Sequence, residues 1–125
     1  MLTRPNQKPT IVLVDDDAAL RAALKFNLEI EGFEVETCES GEDLLSAALP
    51  TGAACVVLDY NLPGVTGLEA LIQLRRRDAT LPVFIITSHP PPSVRAAISA
   101  AGATLIEKPL LTDGLVSAIR EALAV

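Results

Sequence analysis

Short apolar runs alternate with longer segments of helical periodicity along the chain. Each run is rich in Val, Ile or Leu and precedes a segment in which apolar residues recur every three or four positions. This alternation is typical of βα units, in which helices cover both faces of a parallel sheet. The predicted strands lie at about 10–14, 34–38, 54–58, 82–86 and 103–106, and the predicted helices at about 18–31, 41–49, 67–77, 93–101 and 113–124.

The predicted fold is therefore a doubly wound α/β sheet of five parallel strands. Local signals agree with it, since Gly32 and Gly102 stand at helix ends, and Ser40 and Thr112 stand at helix starts. No linker, repeat or second domain is indicated, so residues 1–125 are interpreted as one domain with a flexible amino end at 1–8.

Charge and hydropathy exclude several classes of function. The net charge of −6 argues against nucleic-acid binding, which requires a basic surface. The one dense basic run, residues 75–77, lies at a predicted helix end, where cations complement the helix dipole. The longest uncharged stretch ends at Val94, and because its residues 81–94 contain four prolines it cannot cross a membrane as a helix. Because the amino end also lacks the apolar core of a signal peptide, the expected location is cytoplasmic, away from membranes.

The two cysteines, Cys38 and Cys55, lie in apolar strand patterns. This placement predicts small buried thiols in a reducing compartment rather than a disulfide or a metal site. With one histidine and no Cys-x-x-Cys motif, a zinc site is not expected.

Polar residues follow four of the five apolar runs directly. Since the carboxyl ends of parallel strands share one edge of a sheet, where ligands bind, these residues are expected to converge in one cleft. They are two acids after the first run, Asp15 and Asp16, then Asp59, Thr87 and Lys108 after the third, fourth and fifth runs.

Clustered carboxylates repel one another unless a cation joins them or their pKa values rise. Magnesium suits such a site because it prefers oxygen ligands and keeps several waters. We therefore interpret Asp15, Asp16 and Asp59 as metal ligands, and Asp17 as a carboxylate at the start of the first helix that interacts favourably with the helix dipole. A carboxylate beside a bound cation can attack a phosphoryl group, which makes Asp59 the candidate nucleophile. Lys108 and the Thr87 hydroxyl would neutralise charge on the phosphoryl oxygens.

These residues resemble the receiver domains of two-component response regulators. The resemblance covers nearly the whole chain and rests on four motifs in order: Val-Asp-Asp-Asp at 14–17, Leu-Asp-Tyr-Asn-Leu-Pro-Gly at 58–64 with Gly67, Ile-Thr-Ser at 86–88 and Glu-Lys-Pro at 107–109. It implies a flavodoxin-like (βα)5 sheet in the strand order 2-1-3-4-5. It also implies no enzyme activity beyond magnesium-dependent self-phosphorylation and autodephosphorylation.

The resemblance assigns roles to individual residues. Asp59 would be the phosphoacceptor, with Mg²⁺ held by Asp16, Asp59 and the backbone carbonyl of Asn61, and with Asp15 acting through a bound water. Thr87 and Lys108 would contact the phosphoryl group, and the Lys108–Pro109 bond would be cis. The phosphoryl donor would be a sensor histidine kinase or a histidine phosphotransfer protein, and the downstream target would be another protein.

Two positions depart from the family pattern. Leu105 stands where receivers commonly carry an aromatic ring that moves on activation, and the prolines at 90–92 stiffen the segment before the fourth helix. Both departures predict a muted or differently routed signal. Asn61 and His89 fall at variable positions that would tune hydrolysis of the acyl phosphate, although a loop histidine is also commonly just solvated.

Several alternatives stay open at this stage. The first hypothesis is a stand-alone phosphoacceptor that signals by protein contact, and the alternative is a receiver excised from a longer transcription regulator or hybrid kinase. A metal-dependent phosphohydrolase would place a second acid where Asn61 stands. The wide apolar arc of the first helix, including Ala22 and Phe26, fits kinase docking as well as burial against the fifth helix.

Overall fold

The computed structural model describes residues 8–46, 53–108 and 112–123, where five strands and five helices alternate. Strands β1 to β5 are Thr10–Val14, Glu34–Cys38, Ala53–Asp59, Val83–Thr87 and Thr104–Glu107. Helices α1 to α5 are Ala18–Ile30, Gly41–Ser46, Gly67–Arg77, Pro92–Ala100 and Thr112–Leu123. The βα alternation is confirmed. The predicted ends of α2 and α5, residues 1–7 of the predicted flexible amino end, the side chain of the predicted Thr112 cap and the cis bond to Pro109 lie outside the described parts.

The sheet is parallel throughout, with the strand order β2-β1-β3-β4-β5, which confirms the predicted order. β4 is buried along its whole length, and β1 and β3 are buried except at their first residues. The edge strands β2 and β5 are partly exposed. This explains why the three central strands read as continuous apolar runs, since both of their faces are covered by helices.

Alternate residues of each central strand enter two separate cores. Ile11 and Leu13 pack with α1 and α5 on one face, while Val12 and Val14 pack with α2, α3 and α4 on the other. Successive side chains of a strand point to opposite faces, so one apolar run supplies both cores. The sheet is therefore held firmly on both sides, and its carboxyl edge is a rigid platform for the loops that follow the strands.

The helix boundaries follow the predicted caps. The Asp17 carboxylate accepts hydrogen bonds from the backbone of the first turn of α1, at 3.0 and 3.1 Å, and Ser40 caps α2 at 3.0 Å. Gly32 and Gly102 have φ values of 98° and 75°, a conformation that glycine adopts without strain. The interpretation of Asp17 as a residue of the helix start agrees with these contacts, and the structure adds that Asp17 is the N-cap of α1. Within the described ranges, no helix is long and apolar enough to cross a membrane.

The basic run at the end of α3 is largely structural. Arg75 donates hydrogen bonds to the carbonyls of Leu81, Ala101 and Gly102 at 2.6, 2.7 and 3.0 Å. Arg77 donates to the Leu45 carbonyl at 2.6 Å. These guanidinium groups satisfy carbonyls at the ends of neighbouring elements, which agrees with the structural interpretation of the run.

Candidate functional site

Strand pairing places the acids of β1 and β3 side by side. Val14 pairs with Leu58 in parallel register, so the next residue of each strand, Asp15 and Asp59, reaches the sheet edge at the same level. Asp16 adds a third carboxylate, and one oxygen from each of the three acids lies within 4.8 Å of the others. The structure thus brings together the three carboxylates that the sequence pointed to.

The hydroxyl and the amine reach the same edge through β4 and β5. Asp59 pairs with Ile86, so Thr87 is the next residue of the neighbouring strand, and it is only 2% exposed. The backbone N–H of Lys108 donates to the Thr87 carbonyl at 2.9 Å. The Lys108 Nζ lies 3.5 Å from the Asp59 Oδ2, so the amine faces the central carboxylate directly.

The Asp59 carboxylate is held by two different partners. Its Oδ1 accepts a hydrogen bond from the Asn61 N–H at 3.1 Å, while Oδ2 faces Lys108. The residue is 4% exposed at the end of a strand that is buried on both faces. Because a buried carboxylate with fixed partners has little rotational freedom, its oxygens present a defined geometry to any group that enters the cleft.

Gly67, the first residue of α3, lies against the backbone of the nucleophile candidate. A Cβ added at Gly67 would approach the Asp59 carbonyl oxygen at 2.5 Å and the Tyr60 Cα at 2.6 Å. The Gly67 N–H also donates to the Tyr60 carbonyl at 3.0 Å. The absence of a side chain therefore lets α3 begin directly beneath Asp59.

Replacing Gly67 with alanine is expected to destabilise the protein by about 1–3 kcal/mol, because backbone atoms that cannot rotate away must move apart. The free energy of unfolding, measured by circular dichroism in denaturant, checks this. Gly114→Ala in α5 is the matched control, since a Cβ added there would meet no atom of the described residues within 4 Å. It should stabilise the protein by about 0.5–1 kcal/mol. Equal effects at the two glycines would contradict the close-approach explanation.

Asp15 is oriented from its own loop and is the most buried of the acids, at 1% exposed. Its Oδ1 accepts a hydrogen bond from the Asp17 N–H at 2.9 Å. Burial raises the pKa of Asp15, and the Asp59 and Asp16 carboxylates act in the same direction, whereas the Asp17 N–H and Lys108 oppose the shift. Since this pKa is higher in the folded state, ionised Asp15 lowers stability above the raised pKa, and that cost disappears as the pH falls below the unfolded value.

The three carboxylates fit a hard divalent cation. Magnesium binds oxygen at about 2.0–2.1 Å, so its opposite ligands lie about 4.2 Å apart. The three acids offer oxygens that all lie within 4.8 Å of one another. A cation would also favour the ionised form of Asp15, against the effect of burial. The donor set of Asp15, Asp16 and Asp59 therefore suits a hard divalent cation.

Two other predicted positions flank the cleft. Asn61 and His89 are both exposed, and His89 has a φ of 45°, in the left-handed region that non-glycine residues rarely adopt. Leu105 is half-buried and packs against the core shared with α3 and α4. Of the three prolines that precede or begin α4, Pro90 is buried and Pro92 is the first helical residue.

Neither cysteine thiol belongs to the acid cluster. Both thiols are free; Cys55 is buried and Cys38 is half-buried. Burial raises the pKa of Cys55 to about 12. Burial also raises the pKa of Cys38, to which Asp43 and Glu36 contribute. Thiols with raised pKa values are poor nucleophiles, so these residues are structural, as their strand pattern indicated.

Sequence reasoning missed two contacts that hold the loops of the site. Arg21 donates from a guanidinium nitrogen to the Asp15 carbonyl at 2.6 Å, and Glu42 accepts from the Val65 N–H at 3.4 Å. In the sequence, Arg21 falls in the polar stripe of the first helix, and Glu42 falls in the first turn of the second. No pattern in the sequence signals either contact, because each partner is a backbone atom of a loop whose course the sequence does not give.

Comparison with known proteins agrees with this geometry. A family model described as the response regulator receiver domain matches residues 11–120. The chain is 37% identical over 116 residues to the C4-dicarboxylate transport transcriptional regulatory protein DctD of Pseudomonas aeruginosa, covering 92% of this chain and 25% of that protein. It is 35% identical over 120 residues to the transcriptional regulatory protein FixJ of Azorhizobium caulinodans, covering 95% and 56%. The chain thus spans a quarter of one relative and little more than half of the other.

Solved structures show the same fold over nearly the whole chain. The chemotaxis protein CheY4 of Vibrio cholerae superposes with a TM-score of 0.86 at 26% identity, covering 94% of this chain and all of that one. A CheY-like response regulator receiver domain protein from Methanospirillum hungatei superposes with a TM-score of 0.88 at 27% identity, covering 94% and 95%.

Proposed function

This chain belongs to the response regulator receiver domain family, and we propose that it accepts a phosphoryl group on Asp59 in a magnesium-dependent reaction. The observation that carries the proposal is the position of Asp59. It is a buried carboxylate within 4.8 Å of two further acids and 3.5 Å from the Lys108 amine. The family match favours this function over that of a phosphohydrolase, and we propose that the described residues form one receiver domain.

In the proposed reaction an Asp59 oxygen attacks the phosphorus atom. The phosphorus–nitrogen bond of a phosphohistidine donor breaks, and the imidazole leaves with the bonding electrons. Charge spreads over the phosphoryl oxygens in the transition state, so positioned donors and cations lower the barrier. Lys108 supplies a positive charge beside Asp59, and the buried Thr87 hydroxyl donates a hydrogen bond from the next strand.

We assign the metal site to Asp16, Asp59 and the backbone carbonyl of Asn61, with Asp15 acting through a bound water. When present, Mg²⁺ would neutralise the acids and the phosphoryl oxygens. The Asn61 N–H already donates a hydrogen bond to one Asp59 oxygen. This contact holds the backbone of Asn61 beside the acids, which supports its assignment to the metal site. Asp15 is suited to an indirect role because it is the most buried of the three and is already oriented by its own loop.

Intact mass after incubation with acetyl phosphate tests the proposed function. A single phosphoryl gain that requires Mg²⁺ is the expected result. The absence of any gain, both from acetyl phosphate and from a histidine kinase, would overturn the assignment.

The exposed face of α1 is the proposed docking surface for the phosphoryl donor. Leu24 and Leu28 are buried beneath the helix, whereas Phe26 and Ile30, one turn apart, are each 64% exposed. The alanines at 19, 22 and 23 extend this exposed apolar stripe toward the acidic loop. Because α1 begins directly after that loop, helices packed on the stripe would bring a phosphohistidine close to Asp59. A sensor histidine kinase or histidine phosphotransfer protein would offer such helices.

Replacing Phe26 with serine is expected to slow phosphoryl transfer from the cognate histidine donor by about tenfold, equal to about 1.4 kcal/mol of lost contact. Transfer from acetyl phosphate should not change, since a small donor needs no docking surface. Rates of phosphorylation from both donors check this. Ile72→Ser is the matched control, because Ile72 is also an exposed apolar residue, at 43%, but lies on α3. A similar loss with both variants would argue against docking on α1.

The output of the protein is proposed to be contact with another protein or with an attached domain. Both relatives named above are transcriptional regulators by name, and this chain corresponds to only part of each. A stand-alone receiver and the receiver of a longer regulator share all of the features described. The length of the complete gene product distinguishes them.

A further inference from the structure

Arg21 joins α1 to the loop that carries two of the three acids. Its guanidinium donates to the Asp15 carbonyl at 2.6 Å, and its side chain is only 16% exposed. A second contact, to the Glu39 carboxylate at 3.8 Å, is weaker because Glu39 is 77% exposed. The hydrogen bond to Asp15 is therefore the dominant contact, and its donor is charged, which makes it stronger than a neutral one.

Two hydrogen bonds hold the backbone of Asp15, and the bond from Arg21 is one of them. The Asp15 N–H donates to the Cys38 carbonyl of β2 at 3.2 Å, and the Asp15 carbonyl accepts from Arg21. The Asp15 carbonyl belongs to the peptide group that leads into Asp16, so Arg21 sets the orientation of that peptide plane. Asp16 itself is exposed, and among the described residues its carboxylate has no hydrogen-bond partner. Its direction therefore depends on the backbone.

We propose that Arg21 is a positioning residue for the metal site: it holds the Asp15–Asp16 peptide so that the Asp16 carboxylate is preorganised toward Mg²⁺. This inference rests on the proposed function, since it concerns the same acids. Within the described residues, Arg21 makes no hydrogen bond or ion pair with the carboxylates of Asp15, Asp16 or Asp59. Its contribution is made through the main chain, and losing it should weaken Mg²⁺ binding without removing a ligand.

The sign of the effect separates this role from simple electrostatics. Arg21 is a positive charge near an acidic cluster, so its removal should tighten cation binding if charge alone mattered. Loss of preorganisation has the opposite effect, because the Asp16 peptide must then be ordered when the ion binds. A positioning role therefore predicts weaker binding of Mg²⁺ after a change that makes the site more negative.

Amide NMR titration with Mg²⁺, without any phosphoryl donor, tests the inference on the native chain, Arg21→Met and Arg21→Lys. We expect Arg21→Met to weaken Mg²⁺ binding by fivefold or more. Arg21→Lys keeps the charge and one donor, and it should bind more tightly than Arg21→Met. The same spectra report whether each variant is folded. Arg120→Met is the matched control: Arg120 also donates to a loop carbonyl, that of Glu31 at 2.9 Å, but it lies on α5. Its Mg²⁺ affinity should match that of the native chain.

Unchanged or tighter Mg²⁺ binding by Arg21→Met would overturn the inference, and so would equal weakening in Arg120→Met. A native chain that binds Mg²⁺ but gains no phosphoryl group would overturn the proposed function and leave the role of Arg21 standing. A native chain that binds no Mg²⁺ would overturn the role of Arg21 and the metal assignment together.

Discussion

Replacing Asp59 with asparagine is expected to abolish phosphorylation by acetyl phosphate and by any histidine donor. The amide is nearly isosteric with the carboxylate and its oxygen can still accept the Asn61 N–H, so the fold should survive. It lacks the negative oxygen that attacks phosphorus, and the acyl phosphate cannot form on it. Intact mass spectrometry after incubation with acetyl phosphate and Mg²⁺ should show the phosphoryl gain in the native chain and none in Asp59→Asn.

Asp43→Asn is the matched control for this experiment. Asp43 is an exposed aspartate in the first turn of α2, outside the acid cluster. It should take up the phosphoryl group at the native rate. If Asp59→Asn acquired the group as fast as the native chain, Asp59 would not be the acceptor, and Asp15 or Asp16 would have to be tested next.

Replacing Lys108 with alanine is expected to slow phosphorylation by about 10- to 100-fold, toward the lower end of the loss for removing one stabilising group from a transition state. The Nζ lies 3.5 Å from the Asp59 Oδ2 and is the group placed to balance charge on the incoming phosphoryl oxygens. The loss should fall short of abolition because the side chain is 28% exposed, so water screens part of its charge. The initial rate of mass gain at saturating Mg²⁺ measures the effect.

Lys25→Ala controls for the loss of a positive charge as such. Lys25 lies on α1 and makes no ion pair within the described part of the chain, so its removal should leave the rate from acetyl phosphate unchanged. A native rate for Lys108→Ala would show that the amine acts only after phosphorylation. In that case its role would lie in transmitting the phosphorylated state rather than in forming it.

The fold could be predicted because apolar runs and helix caps are local features of the sequence. Val12 and Ile85 lie in runs that are apolar at every position, which strands covered on both faces require. Asp17, Ser40 and Gly32 stand at helix ends because caps satisfy backbone groups that the helix leaves unpaired. These signals depend on neighbours in the sequence, so they are legible without the tertiary structure.

Part of the site could be predicted for a related reason. Parallel strands share a direction, so residues that follow them must meet at one edge, whatever the distance between them in sequence. This argument brings Asp15, Asp59 and Thr87 together before any coordinate is known. It does not give distances, and the 3.5 Å approach of the Lys108 Nζ to Asp59 depends on the register of β4 and β5.

The apolar arc of α1 shows where sequence periodicity stops being informative. The sequence of this arc was consistent with both burial and docking. In the structure its residues fall into two groups: Leu24 and Leu28 are buried in the core, while Phe26 and Ile30 are each 64% exposed. Helical spacing identifies residues that share a face. It does not state how much of that face the sheet and α5 cover.

The amino-acid sequence by itself determined the alternating strands and helices, the helix caps and the set of polar residues at the carboxyl edge of the sheet. Tertiary structure alone decided that Arg21 holds the Asp15 carbonyl, that Gly67 must lack a side chain, and which apolar residues of α1 stay exposed. The physical reason is the range of the interactions. Periodicity and capping follow from the residues of one element, whereas contacts of side chains with loop backbone form only when the packed elements fix the course of those loops.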